Sequence, residues 1–365
     1  MGRIISIGTA VPQFSSNQVD ILDFMHAAYR DATASRKLNA LFHFSGIERR
    51  HSVLPDFSGA PAVPQIFAGE DPPDIEKRME VFREKAVNLA MDAISNALSK
   101  HDTGNGSPGI THLITVSCTG LHAPGIDTGI MERMALPDDI FHTSLNYLGC
   151  NAAFPALKIA DLISRTENDA RILVVCVELC TIHFQPANNS DNLLSNTIFS
   201  DGAAAVLMVS NELARKKGTK GLDIDGFYST LLGKGKELMG WNVTPLNFGM
   251  ILSTKIPGFI GERLEGIITK TKKAAKMKPG EKFSWAVHPG GRRILDKVKE
   301  SLSLTDADLG NSYAVLREYG NMSSPTVLFV LARIMSEETK SPGKVLALGF
   351  GPGISVDAAM LSHAE

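Results

Sequence analysis

The chain has 365 residues, 44% of them hydrophobic and 21% charged, with a formal net charge of -2. That is apolar material for one large or two intimate domains, and the charge balance argues against nucleic acid, which demands a clustered basic surface. The four cysteines, Cys118, Cys150, Cys176 and Cys180, form no CxxC pair and lack histidines at metal-ligand spacing, which disfavours a disulfide framework or a structural zinc and fits a reducing compartment, the cytoplasm.

Residues 3–7 predict a first strand, feeding a turn at Gly8-Thr9-Ala10. The opening Met-Gly-Arg-Ile-Ile-Ser also fits the loose myristoylation pattern, but a strand accounts for it. No apolar h-region follows a basic start, and no apolar run is long enough to span a bilayer, so neither a signal peptide nor membrane attachment is expected. Residues 74–101 predict one long helix, with Val81, Ala86, Leu89, Ala90, Ala93, Ile94 and Ala97 near helical spacing. A buried strand over 111–117 ends in Cys118-Thr119-Gly120, and a helix over 125–135 stops near Pro137. Residues 151–164 carry almost no charge in their first two turns, so this helix must be buried on most sides; Pro155 is tolerable only near its start. The run 170–179 has the look of a fully buried parallel strand, with Cys176 and Cys180 on one face. Residues 201–209 form a further strand.

The second part repeats the order. A strand over 282–287 ends in His288-Pro289-Gly290-Gly291, and a helix spans 291–302. Asn321-Met322-Ser323-Ser324-Pro325 opens another nearly uncharged helix to about Met335; strands over 344–349 and 354–361 close the chain. The basic run 270–278 reads as the solvated face of a helix. The shared order points to an α/β fold of two βα-rich halves, 1–215 and 216–365, packed as a pseudo-dimer with mixed sheets between helices. The boundary falls near the polar stretch 211–220.

Three residues stand where chemistry gathers in α/β folds, at strand ends and helix starts. Cys150 begins a buried helix, where unpaired N–H groups and the macrodipole favour a thiolate and should lower its pKa below the free value. His288 ends a strand beside a loop that lets a ligand approach. Asn321 is either an N-cap or an amide donor to a developing oxyanion. Each has an ordinary structural explanation alone; together, thiol, imidazole and amide form an acyl-transfer set. Packing suffices for Cys118, Cys176 and Cys180.

Five ordered strings extend this: Gly149-Cys150; Ile198-Phe199-Ser200-Asp201-Gly202-Ala203-Ala204-Ala205; Trp285-Ala286-Val287-His288-Pro289-Gly290-Gly291; Glu318-Tyr319-Gly320-Asn321-Met322-Ser323-Ser324; and Gly349-Phe350-Gly351-Pro352-Gly353. The sequence resembles the type III polyketide synthases, the chalcone synthase-like branch of the thiolase fold, on the bacterial side of that family. The resemblance implies a layered αβαβα fold. It further implies an acyltransferase that lengthens an acyl starter on Cys150 with malonyl-CoA and closes a ring, as chalcone, alkylpyrone and resorcinol synthases do. His288 would keep Cys150 as a thiolate through an ion pair, and His288 with Asn321 would hold the malonyl thioester oxygen. Phe199 and Phe248 would be the gates between a coenzyme A tunnel and the cavity. Cys118, Ser323 and Met239 would line that cavity, and Lys37 would contact coenzyme A. A homodimer is implied, with no metal or organic cofactor beyond the coenzyme A thioester substrates.

Departures from the plant pattern are Asn151, where Phe usually follows the nucleophile, and Ala123, in place of a cross-subunit Met before Pro124-Gly125. Both put a plant starter in doubt, and Asn151 would alter the cavity. A ketoacyl synthase performing one condensation shares the three residues, but the His288–Gly291 and Gly349–Gly353 strings argue against it. A hydroxymethylglutaryl-type synthase needs a catalytic Glu in a context this chain lacks. An acyl-CoA-binding homologue without activity would have lost one of the three.

Overall fold

The computed structural model describes residues 2–58, 66–67, 71–99, 109–337 and 343–364. Its first part comprises β1 (Gly2–Ala10), β2 (Phe14–Asn17), α1 (Gln18–Tyr29), α2 (Ala32–Phe44), β3 (Arg49–Ser52), α3 (Ile75–Leu98), β4 (His112–Ser117), α4 (Ile126–Met134), β5 (Phe141–Asn146), α5 (Ala153–Thr166), β6 (Arg171–Leu179), α6 (Ser190–Ile198) and β7 (Asp201–Ser210). After α7 (Asn211–Lys217) come β8 (Gly221–Leu231), β9 (Met239–Val243), β10 (Phe248–Leu252), α8 (Ile256–Gly261), α9 (Leu264–Ala274), β11 (Ser284–Val287), α10 (Arg292–Ser301), α11 (Gly310–Tyr319), α12 (Thr326–Ser336), β12 (Lys344–Gly351) and β13 (Ser355–Ala364).

Nine strands join in the order β11-β12-β13-β8-β1-β7-β6-β4-β5. The junction of the two strand sets is narrow: β1 meets β8 only at Arg3↔Asp223 and Ile4↔Leu222, and the Arg3 guanidinium closes it on Asp223 at 2.7 Å. In each set parallel strands, three in the first and two in the second, adjoin antiparallel ones. β4 runs parallel to β5 and β6, and β11 parallel to β12, while β6 is antiparallel to β7 and β12 to β13. The run 170–179 is thus parallel on one side only.

Strand periodicity assigns the layers. Along β6, Leu173, Val175 and Val177 face the core shared with the outer helix α3, while Ile172, Val174 and Cys176 face α5 and α12. Along β12, Val345 and Ala347 face those two inner helices, and Leu346 and Leu348 face the core shared with α9, α10 and α11. Helices α5 and α12 are therefore the middle layer of an αβαβα stack, as expected; the one carboxylate that α5 buries, Asp161, accepts from the Gly2 N–H of β1 at 2.8 Å. Phe154 on α5, 2% exposed, occupies the space a side chain on Gly349 would need. Burying such a ring contributes about 1.5–3 kcal/mol.

Three expectations need correction. Strand β6 ends at Leu179, and Cys180 opens a 3-10 turn, Cys180–His183, so Cys176 and Cys180 do not share a strand face. The helix at 270–278 ends at Ala274, where the backbone turns through Lys276 at φ 49°. The helix expected over 74–101 is Ile75–Leu98, and residues 100–101 lie outside the described residues.

Candidate active site

Two strand ends and two helix starts supply the site. Cys118 follows β4, Cys150 precedes α5, His288 follows β11, and Asn321 and Ser323 precede α12. The turn before α5 depends on Gly149 at φ 82°, with Pro352 packed where its side chain would stand. The Gly149 N–H donates to Cys118 Sγ at 2.9 Å, which sets the two thiols close together.

His288 is 1% exposed; its N–H donates to the Leu348 carbonyl at 2.8 Å, extending the β11–β12 ladder by one residue. Among the described residues, neither ring nitrogen has a partner. The Asn321 amide is held at both ends. Its Oδ1 accepts from the Ser323 N–H at 2.8 Å, and its Nδ2 donates to the Gly290 carbonyl at 3.2 Å. A Cβ on Gly290 would lie 3.6 Å from His288 Nε2, so amide and imidazole share this glycine as a neighbour. Asn321 is not an N-cap, for Pro325 holds that position. Ser323 adopts φ 59°, a left-handed conformation costly for a non-glycine residue, and its side chain and that of Asn321 lie near enough to the Cys150 thiol to favour its charged form.

The electrostatics reverse one expectation. Burial, and then the Glu178 carboxylate, push the Cys150 thiol up to about 11 against the pull of Ser323 and Asn321. Burial alone pushes His288 down to about 3. Burial outweighs the pull of Ser323, Asn321 and the Cys150 backbone N–H, so it favours a neutral thiol and a neutral imidazole over an ion pair. Burial also raises Cys118 and Cys180, as does the charge of Glu178.

Glu178 is the residue that sequence reasoning missed. Fully buried on β6, it accepts from the Cys118 N–H at 2.9 Å, Thr119 Oγ1 at 2.8 Å and Ser324 Oγ at 2.6 Å. It thereby ties the end of β4 to the loop before α12. Its signal was available: one carboxylate inside the apolar run 171–179. Burial raises its own pKa.

Phe199 and Phe248 both line one pocket, with Met25, Cys180, His183 and Met250 among its walls. Phe248 is clamped between Trp241 and His183, both stacked on it, at 4.9 and 4.4 Å between ring centres. Cys150, His288 and Asn321 are not in this lining. The link to them is Cys180, which lines the pocket and lies close enough to Cys150 and Cys118 for their negative forms to raise its pKa. Cys118 and Ser323, each 6% exposed, are brought to Cys150. Met239 opens β9 and packs partly buried on the α8–α10 core. Lys37 lies exposed on α2, bonded to Asn188 Oδ1 at 3.2 Å. Neither lines the pocket of the two phenylalanines. Asn151 turns away from the cavity: its Nδ2 donates to Ser355 Oγ at 3.0 Å and to Asp357 on β13.

Among the described residues, no three His, Cys, Asp or Glu side chains cluster to hold a metal, and no helix is long and apolar enough to cross a membrane.

Two family models match. Chalcone and stilbene synthases, N-terminal domain, covers residues 1–212, and the C-terminal domain of the same family covers 227–364. The chain is 30% identical over 385 residues to bisdemethoxycurcumin synthase of Oryza sativa subsp. japonica, covering 100% of this chain and 92% of that protein. It is 28% identical over 367 residues to probable polyketide synthase 1 of Dictyostelium discoideum, where 99% of this chain spans 11% of the relative's length. Among solved structures, PKS-I of the brown alga Ectocarpus siliculosus superposes with a TM-score of 0.92 at 26% identity, covering 100% of this chain and 98% of that one.

Proposed function

The chain belongs to the chalcone and stilbene synthase family, the type III polyketide synthases, and from that premise we propose that Cys150, His288 and Asn321 carry an iterative condensation of malonyl-CoA onto an acyl-CoA starter. The observation behind the assignment is the convergence of a thiol, an unpartnered imidazole and a doubly held amide at strand ends and buried helix starts.

In the first step the Cys150 sulfur attacks the starter thioester. Neutral His288 takes the thiol proton during attack and returns it to the departing coenzyme A sulfur, so no standing thiolate is needed. In the second, malonyl-CoA places its thioester oxygen between N–H donors of His288 and Asn321. Loss of carbon dioxide leaves an enolate on that oxygen, and fixed donors stabilise it without a strong base. A neutral imidazole suits this role, because it donates a hydrogen bond without protonating the carbanion. The enolate carbon attacks the Cys150 thioester, the new carbon–carbon bond forms, and Cys150 sulfur leaves. The lengthened chain, now on coenzyme A, returns to Cys150 for another round, and ring closure releases an aromatic or pyrone product.

Phe199 and Phe248 serve in this reading as gates, with Cys118 and Ser323 beside the nucleophile. Residues 1–215 and 216–365 act as the two units. Substrates are coenzyme A thioesters without a metal or bound organic cofactor, and the setting is cytoplasmic. A homodimer through β5 completes it. At that end of the sheet Phe141 is 52%, Tyr147 43%, Leu148 40% and Leu121 51% exposed, and an open sheet edge with apolar side chains invites pairing; the mass in solution tests this.

The test is incubation of purified protein with malonyl-CoA and acyl-CoA starters from short to long, with products read by mass. Products carrying two or more ketide units are expected. Single-condensation products, or none without a carrier protein, would instead identify a ketoacyl synthase.

A further inference from the structure

Arg50 takes no part in the chemistry above, yet it is 6% exposed and carries a cation into the interior. Among the described residues no carboxylate hydrogen-bonds it, although the charge of Asp201 acts on it. Its Nη1 donates to the carbonyls of Asn196 at 2.7 Å and Phe199 at 2.9 Å, and its Nε donates to Gln18 Oε1 at 3.0 Å. The guanidinium lies over the Phe42 ring at 5.5 Å, while Nη2 is buried without a hydrogen-bond partner among the described residues. Burial lowers its pKa to about 9. Such a cation costs free energy unless its hydrogen bonds recover it, so what it holds matters.

What it holds is the end of α6, whose last carbonyls would otherwise be orphaned. That end carries Phe199. On the opposite side, the Arg50 stem runs beside Gly320, at φ 69°; a Cβ there would lie 3.0 Å from Arg50 Cγ and 3.0 Å from the Ile198 carbonyl. Gly320 immediately precedes Asn321. The gate segment is then laced to Asn321 by backbone. Asn321 N–H donates to the Ile198 carbonyl at 2.9 Å, and Ser200 N–H donates to the Asn321 carbonyl at 2.9 Å. His51, next to Arg50, binds Ser200 twice, its N–H donating to Oγ at 2.8 Å and its carbonyl accepting from Oγ at 3.0 Å.

We propose that Arg50 is a positioning residue that clamps the Phe199 gate and the Asn321 amide into one rigid unit, so that the acyl passage and the oxyanion donor are set together. This rests on the roles given to Phe199 and Asn321 above. An Arg suits the position because its planar fork reaches several carbonyls at once, whereas a Lys offers a point charge.

The test compares Arg50→Met, Arg50→Lys, Gly320→Ala and the double variant Arg50→Met/Gly320→Ala. Two rates are read per folded enzyme: carbon dioxide release from malonyl-CoA, which depends on Asn321, and kcat/KM across acyl-CoA starters of rising length, which depends on the gate. Arg50→Met should lower carbon dioxide release by about a hundredfold, the cost of misplacing a donor by an ångström, and flatten the dependence on starter length. Arg50→Lys should recover part of both. Gly320→Ala should shift both the same way, and the double variant should be no worse than the worse single, as coupled sites require. If Arg50→Met does not fold, Gly320→Ala decides by the same two readouts. A lowered Tm with both rates within about twofold of wild type, within the scatter of independent sites, would reduce Arg50 to scaffold and overturn the clamp. A wild-type enzyme that releases no carbon dioxide would remove the reading beneath the proposal, and the proposal with it.

Discussion

The two strand sets present the same pair of positions, a strand end and the start of a buried helix, and fill them with different chemistry. In the first set, Cys118 follows β4 and α5 begins after Cys150; in the second, His288 follows β11 and α12 begins after Asn321. Geometry is shared, and the proposed roles follow from residue type. In the proposed reaction one side would supply sulfur to carry an acyl group, and the other N–H donors to hold an enolate. Burial acts on both, with opposite consequences for charge: it raises the thiols and lowers the imidazole, leaving both sides neutral before substrate arrives. Glu178 belongs to the first set but reaches Ser324 in the second, and Arg50 reaches from β3 to the carbonyls of Asn196 and Phe199.

Substitutions can separate the two sides. The largest effect is expected for Cys150→Ala, which should abolish chain extension, a loss of at least about 10³-fold as for other nucleophile removals, read as product mass. Next come His288→Ala and Asn321→Ala. Each should cut carbon dioxide release from malonyl-CoA by about 10²–10³-fold, the usual cost of losing one oxyanion donor, while a stoichiometric acyl load on Cys150 remains attainable with Asn321→Ala. If Asn321→Ala instead blocked loading and spared decarboxylation, the two sides would have been assigned the wrong way round.

Glu178→Gln should act on the sulfur side alone. Its negative charge opposes the thiolate, so removing it should shift the pH profile of Cys150 alkylation to lower pH from a wild-type value of about 11. A shift upward would contradict the electrostatic account. The smallest effect concerns acid stability. His183 and His288 are both held neutral, at about 3. The unfolded chain takes up their protons near 6.5, the folded chain only near 3. Their stabilising contribution is therefore complete above about pH 6.5 and is lost as pH falls toward 3. Tm measured from pH 7 to pH 4 should fall, and His183→Gln should flatten that fall.

The layers were legible because α5 and α12 carry almost no charge in their first turns, and a helix buried on most sides there belongs in a middle layer. The three residues were legible because they sit beside Gly, Pro and small residues at element ends. What escaped depends on contacts across sequence distance. The sign of the Cys150 shift follows from desolvation by the packing around it, to which Glu178 on a neighbouring strand adds, and the local helix start reveals neither. Cys180 was misplaced because an apolar strand and the 3-10 turn after it share a composition. Asn151 looked like a cavity residue until β13 was seen to offer it Ser355 and Asp357. Lys37 lies on the surface beside Asn188, a placement that no local pattern encodes.

The division of labour is tested most directly by carbon dioxide release from malonyl-CoA in Cys150→Ala, measured beside wild type and Asn321→Ala with no starter present. The account predicts that Cys150→Ala still releases carbon dioxide and leaves acetyl-CoA without any longer product, while Asn321→Ala releases almost none. Loss of carbon dioxide release in Cys150→Ala with its fold intact, or full release in Asn321→Ala, would contradict it.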